Sequence, residues 1–147
     1  VLNMTTISSF PKMFFGLGTT CVATATNDIA TGSGTIATDN AVGFLAQGTD
    51  GHLDFVSRVS DVETDANSDA HTLVDGDDVK LEFVINGLKN AIPFVNGVRL
   101  DTLAIPGADL PTALMAPKIW FTNGGSVQSI MKINCWEIEV NDAETVI

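Results

Sequence analysis

The sequence has no tyrosine, only two cysteines and only two tryptophans among its 147 residues. Cys21 and Cys135 form neither a Cys-x-x-Cys motif nor a zinc-ligand spacing, which excludes a zinc-binding module. We expect two small buried thiols in strands, and a disulfide only if the fold brings them together. Exposed tyrosine and tryptophan are the usual platforms of binding clefts, so only Trp120 and Trp136 remain for that role, and their apolar surroundings favour core packing.

Basic residues are also scarce. Seven are scattered along the chain against 18 acidic residues, which gives a net charge of −11. Such a chain repels phosphate backbones and anionic lipid surfaces, and it lacks the basic patch that nucleic-acid binding needs. No apolar run reaches the roughly 18 residues that span a bilayer. We therefore expect no nucleic-acid partner and no membrane partner.

Hydrophobic residues make up 45% of the chain, enough for the core of one domain of this length, and we expect residues 1–147 to form a single domain. The clearest pattern is β-strand alternation in residues 79–85, where Val79, Leu81, Phe83 and Ile85 share one face. Asn-Gly pairs follow at positions 86–87 and 96–97, and Asn-Gly favours primed hairpin turns. This stretch predicts antiparallel hairpins. Pro93 predicts an edge strand or a bulge.

Similar short apolar segments occur along most of the chain, separated by turn residues. We predict strands at 12–18, 41–46, 52–59, 118–122 and 129–140, the last partly central and covered around Ile133. Residues 23–40 predict a long loop, and residues 110–115 predict one short helical turn. The fold class that this pattern indicates is all-β, an antiparallel two-sheet β-sandwich or jelly roll.

Candidate catalytic residues are few. Glu137 and Glu139 lie two apart in the last predicted strand, where their carboxylates would share a face about 7 Å apart, as in a glycosidase. The acidic triad of jelly-roll glycosidases, Glu-x-Asp-x-x-Glu, is incomplete here, and a solvated strand face explains the pair equally well. No nucleophile motif or phosphate-binding glycine loop is present. We therefore expect no enzymatic activity and assign no catalytic residue.

Candidate metal ligands cluster between Asp61 and Asp78, a segment with seven acids and no base. The sequence Asp75-Gly76-Asp77-Asp78 offers oxygen ligands for calcium, but the spacing is not that of an EF-hand, and a polar loop is the simpler interpretation. His52 and Asp54 offer one imidazole and one carboxylate, and His71 is isolated in a polar loop. We expect surface histidines and assign no metal or cofactor.

The order of the strand motifs resembles a known family. Its most telling piece is the hairpin Pro93-Phe94-Val95-Asn96-Gly97-Val98, and the matching segments are 13–18, 39–44, 53–58, 79–87, 105–106 and the strands around Trp120 and Trp136. The pattern over residues 12–140 resembles the concanavalin A-like jelly roll of the LamG and pentraxin type, in the version found in tailed-phage virion proteins, including capsid decoration proteins. The resemblance implies a two-sheet sandwich and a location on the capsid surface.

The chain departs from that family at its N-terminus, where only Val1 to Pro11 precede the first matching strand. Either strands are missing from this end, or a neighbouring chain supplies the edge; the exposed edge favours a homo-oligomer. The function that the resemblance implies is a non-enzymatic capsid decoration subunit that binds other virion proteins and stabilises the assembled shell. The alternative is a carbohydrate-binding module, with calcium held by the Asp75–Asp78 segment.

Overall fold

The computed structural model describes residues 1–6, 12–19, 40–47, 51–60, 62–65, 69–87, 89–122, 130–133, 135 and 137–139. The described part is all-β, with short 3-10 turns at Asp101–Leu103 and Gly107–Asp109. Its strands are β1 Leu2–Thr6, β2 Lys12–Gly18, β3 Asn40–Gln47, β4 His52–Val59, β5 Val62–Asp65, β6 His71–Thr72, β7 Asp78–Val79, β8 Leu81–Asn86, β9 Asn90–Val95, β10 Val98–Arg99, β11 Ile105–Pro106, β12 Ala116–Thr122 and β13 Ile130–Ile133. The predicted short helix at 110–115 is wrong, since the 3-10 turns lie before it.

The first sheet is antiparallel and runs in the order β12-β2-β3-β4-β5, with β6 continuing the outer edge beside β4. Its centre is unusually tight at one point. Gly16 on β2 lies opposite Gly43 on β3, and a Cβ on Gly16 would lie 2.7 Å from the Gly43 Cα and 2.9 Å from Cζ of the Phe14 ring. Glycine is therefore required at this crossing, because only a missing Cβ permits so close an approach.

The second sheet contains two pieces that meet at Lys80. Strands β13-β1-β7 form one piece, and β8 pairs with β9, which is flanked by β10 and β11. Lys80 lies between the consecutive strands β7 and β8; its amide donates to Asn96 Oδ1 in the β9–β10 turn, and the Asn96 amide donates to the Lys80 carbonyl, both at 2.8 Å. The layer therefore runs β13-β1-β7/β8-β9-β10/β11, and the predicted antiparallel two-sheet architecture is confirmed.

Both predicted Asn-Gly hairpins are confirmed. Asn96 and Gly97 have φ of 52° and 78°, the left-handed pair that a primed two-residue turn requires, and this turn joins β9 to β10. Strand β9 is not an edge strand, contrary to the expectation from Pro93. The Pro93 carbonyl accepts from the Leu100 amide at 3.0 Å, so its nitrogen faces the gap between β10 and β11, where a missing donor costs little.

The core lies between the sheets. Phe44 on β3, Phe55 on β4 and Phe83 on β8 form an aromatic cluster with ring centroids 5.1 to 6.4 Å apart. Burial of such rings contributes strongly to the stability of a core. The opposite face of the first sheet is apolar as well: Phe14, Ala41, Leu45 and Val56 are buried there and Trp120 packs on them.

Two expectations about the ends of the chain are corrected. Residues 2–6 form β1, which pairs with both β13 and β7 and so supplies a strand before β2. The predicted long strand at 129–140 is wrong, because β13 ends at Ile133 and residues 137–139 are not in a strand. Strand β13 pairs only with β1 among the described strands, and Ile130 and Ile133 are 42% and 44% exposed, so it is not central.

Candidate functional site

The candidate carboxylate pair does not form. Glu137 and Glu139 are exposed and lie outside any strand, so the shared strand face that would place their carboxylates side by side is missing. Cys135, close to them in sequence, is exposed rather than buried as expected, while its carbonyl accepts a 2.8 Å hydrogen bond from the Val1 amino group. Cys21 and Trp136 lie outside the described residues. This end of the chain presents no arrangement for glycoside cleavage among the described residues.

The acidic segment at 75–78 is a turn that ties two strands together. The Asp77 amide donates to the Val74 carbonyl at 3.3 Å, and Gly76 takes a φ of 80°. The Asn3 amide group donates to Asp78 Oδ1 at 2.8 Å and to the Gly76 carbonyl at 3.3 Å, which fastens β1 to β7. No group of three or more His, Cys, Asp or Glu side chains in the described ranges has the geometry of a metal site. The Asp61 position and the side chains of Glu63 and Asp65 lie outside what is described.

His52 and Asp54 both contact the same residue, Asp69, and are not arranged as ligands of a shared metal ion. His52 Nδ1 lies 3.2 Å from Asp69 Oδ1 and 3.2 Å from Thr72 Oγ1. Asp54, only 3% exposed, accepts the Asp69 amide at 3.1 Å. Asp69 has a φ of 64°, a conformation that costs energy for a side chain other than glycine. The two β4 side chains thus hold a strained residue at the start of the segment that becomes β6.

His71 is half-buried on β6, contrary to the expectation of a surface histidine. It lies opposite Leu53, and its Nε2 is buried with no hydrogen-bond partner among the described groups. Burial lowers the pKa of His71 below its ordinary value of 6.5, and the Asp77 carboxylate opposes that shift only in part. The imidazole is therefore neutral at physiological pH, which makes it a structural group rather than a cation for an acidic ligand.

The outer face of the second sheet carries an open groove of about 490 Å³. Its floor is apolar, with Ile92 buried, Phe94 half-buried and Val84 54% exposed. Asn86, Asn90 and Arg99 add amide and guanidinium groups to the lining. We call this surface the outer groove. It combines apolar side chains with hydrogen-bonding groups on one open surface.

Ion pairs border the outer groove. Lys80 Nζ lies 2.8 Å from Glu82 Oε1, and Arg99 Nε lies 2.7 Å from Asp101 Oδ1. These pairs are half-exposed to exposed, so each contributes little to stability and remains available to a partner. An apolar centre inside a charged rim is the usual anatomy of a protein interface. Among the described residues that line the groove, no nucleophile is paired with a general base.

Sequence reasoning missed this surface, although part of the signal was present. The alternation that placed Leu81, Phe83 and Ile85 on the inner face also places Val84 outside, where an apolar residue is not needed for the core. Ile92 and Phe94 join it only because the hairpin register sets Val84 opposite Ile92.

The comparisons with known proteins identify no relative. No protein-family model, no curated protein and no solved structure matches this chain. In the part of the chain that is described, no helix has the length and apolar character needed to cross a membrane.

Proposed function

We propose that this protein is a non-enzymatic structural subunit of a tailed-phage virion, a capsid decoration protein with a concanavalin A-like jelly roll. The observation that carries the proposal is the outer groove: an apolar floor of Val84, Ile92 and Phe94 within a rim of exposed ion pairs, on a rigid sheet. Such a face suits a complementary protein surface, and its described lining residues form no catalytic arrangement. The strand order and hairpins that resemble the family are the second support.

In this proposal the outer groove faces the capsid, and the partner surface inserts an apolar group over Val84 and Phe94. Binding to the assembled shell, and not to its separate subunits, stabilises the shell by mass action. The acidic turn at Asp75–Asp78 and the other exposed acids keep the bound subunit well solvated.

The test is co-sedimentation of the purified protein with expanded capsids of the phage that encodes it, using two matched variants. Val84→Glu places a charge on the groove floor, and Val74→Glu places the same charge on an exposed site outside the groove, since Val74 is 49% exposed. We expect Val84→Glu to bind at least about tenfold more weakly, because a buried unpaired charge is costly, and Val74→Glu to bind as the wild type does. Equal binding by both variants would remove the groove from the proposal.

A second candidate function, carbohydrate binding, is favoured by the amide groups of Asn86 and Asn90, which line the same groove as Phe94. Amides, a guanidinium and an aromatic ring are typical of open sugar sites. A glycan array with and without a chelator separates the two functions. Glycan binding that Val84→Glu abolishes, together with no capsid binding, favours the carbohydrate module; its loss on chelation would add calcium.

A further inference from the structure

Acidic residues are absent from two long parts of a strongly acidic chain. The chain has 18 Asp and Glu residues, yet residues 1–27 and 110–136 contain none. Those ranges hold β1, β2, β12 and β13. The basic residues of the same strands are Lys12, Lys118 and Lys132. These four strands therefore carry no acidic side chain, and their positions in the two sheets decide which side of the molecule they form.

The fold gathers these four strands on one side of the sandwich. In the first sheet β12 precedes β2, and in the second β13 precedes β1. Toward their other ends, the two sheets are joined by a hydrogen bond of 2.6 Å. Ser57 Oγ on β4 donates it to the carbonyl of Asp109, the last residue of the 3-10 turn that follows β11. The β12 and β13 edges consequently lie on the same side. Strands without acids build that side, in a molecule whose net charge is −11.

Strand β12 offers an edge for hydrogen bonding. Among the described strands it pairs with β2 alone, over all seven of its residues. The Thr19 amide donates to Asn40 on the β3 side at 3.1 Å, so by alternation Gly16 and Gly18 bond toward β12. Lys118 and Trp120 then bond to β2, and the backbone groups of Pro117, Ile119 and Phe121 point outward.

The outward groups are self-complementary. Pro117 has a carbonyl but no N–H, while Ile119 and Phe121 have both. In an antiparallel pair of β12 strands centred on Ile119, each Ile119 amide donates to the Ile119 carbonyl of the other copy. Each Phe121 amide donates to the opposite Pro117 carbonyl, so every outward donor is satisfied. The pairing lacks only the two bonds that a Pro117 nitrogen would otherwise donate to the Phe121 carbonyls. A register centred on Pro117 would lose both central donors.

We propose that two copies of this chain pair through β12, antiparallel and centred on Ile119, and so join their first sheets into one continuous sheet. Two copies that each carry a net charge of −11 repel one another over most of their surface, and the β12 edge, built by strands without acids, is where they approach at least cost. An isologous contact of this kind closes as a two-fold dimer and leaves no further β12 edge to add a third copy. The outer groove lies on the opposite part of the molecule and remains accessible.

The test is sedimentation velocity of the full chain over about a hundredfold range of protein concentration, where a dimer grows by mass action. The matched variants are Ile119→Pro and Ile119→Ala. Both shorten the same side chain, but only Ile119→Pro removes the central outward donor, and its nitrogen does not face β2. We expect a monomer–dimer equilibrium for the wild type and Ile119→Ala, and a monomer for Ile119→Pro.

Amide hydrogen exchange of the wild type tests the same pairing without any variant. The amides of Ile119 and Phe121 are expected to gain protection as protein concentration rises, while those of Lys118 and Trp120 are protected throughout. A monomer at every concentration, open-ended oligomers, a dimer that survives Ile119→Pro, or concentration-independent exchange at Ile119 would each overturn the proposal. The capsid-binding proposal is tested separately, because Val84→Glu leaves β12 unchanged.

Discussion

The crossing of Gly16 and Gly43 gives the sharpest prediction about stability. In Gly16→Ala the new methyl group would lie 2.7 Å from the Gly43 Cα and would overlap the Val42 carbonyl oxygen. Both obstacles are backbone atoms of β3, the neighbouring strand, so relief requires β2 and β3 to separate. We expect a loss of about 3 kcal/mol in the free energy of unfolding, at the upper end of overpacking effects, or a fall in Tm of about 6–12 °C.

Gly18→Ala is the matched control for that prediction, since Gly18 lies two residues further along β2. A methyl group there would meet the Lys118 Cδ at 3.2 Å, and a flexible side chain can move aside. We expect a change within about 0.5 kcal/mol. The assay is urea unfolding followed by circular dichroism, with equal m-values as the condition for comparison. If Gly16→Ala loses less than about 1 kcal/mol, or if Gly18→Ala loses as much, the close-contact argument is refuted.

Three further predictions follow from single contacts. Because folding lowers the pKa of His71, the unfolded state binds a proton more readily than the folded state as the pH falls. The free energy of unfolding should therefore be highest above pH 6.5 and decrease as the pH drops below it. His71→Gln should remove this part of the pH dependence, measured by urea unfolding at a series of pH values. Asn96→Gly keeps the turn but loses the acceptor for the Lys80 amide, and it should lower the free energy of unfolding by about 1 kcal/mol in the same assay. Asn96→Ala should lower it further, because alanine disfavours a φ of 52°. Equal losses for the two variants would contradict this reasoning. Phe83→Ala should cost about 3–5 kcal/mol and Phe83→Leu clearly less, in thermal or urea unfolding; similar losses would argue against a packed aromatic cluster.

The sheets were largely predictable because most strands carry their own local signal. Residues 12–18 and 52–59 were predicted with the bounds that β2 and β4 have, and the two Asn-Gly turns set the β8–β9–β10 hairpins. Strands that depend on distant partners were missed. The two-residue strands β6 and β11 are short, and β1 has a polar Asn-Met-Thr sequence that becomes a strand only between β13 and β7.

The candidate site was harder to predict than the fold. Glu137 and Glu139 satisfied a two-residue spacing, but spacing places side chains on one face only if the strand continues, and β13 ends at Ile133. Pro93 did not mark an edge strand, because the proline nitrogen of an internal strand can face a gap between two short neighbouring strands, here β10 and β11. The outer groove depends on the cross-strand register of Val84 and Ile92, which no single segment encodes.

We propose that this protein attaches to an assembled shell as a structural subunit. The most direct measurement is quantitative binding of the purified protein to expanded capsids and, in parallel, to dispersed capsid subunits from the same phage. We predict saturable binding to the expanded shell and none to the dispersed subunits. Equal binding to both forms, or binding to neither, would contradict the account.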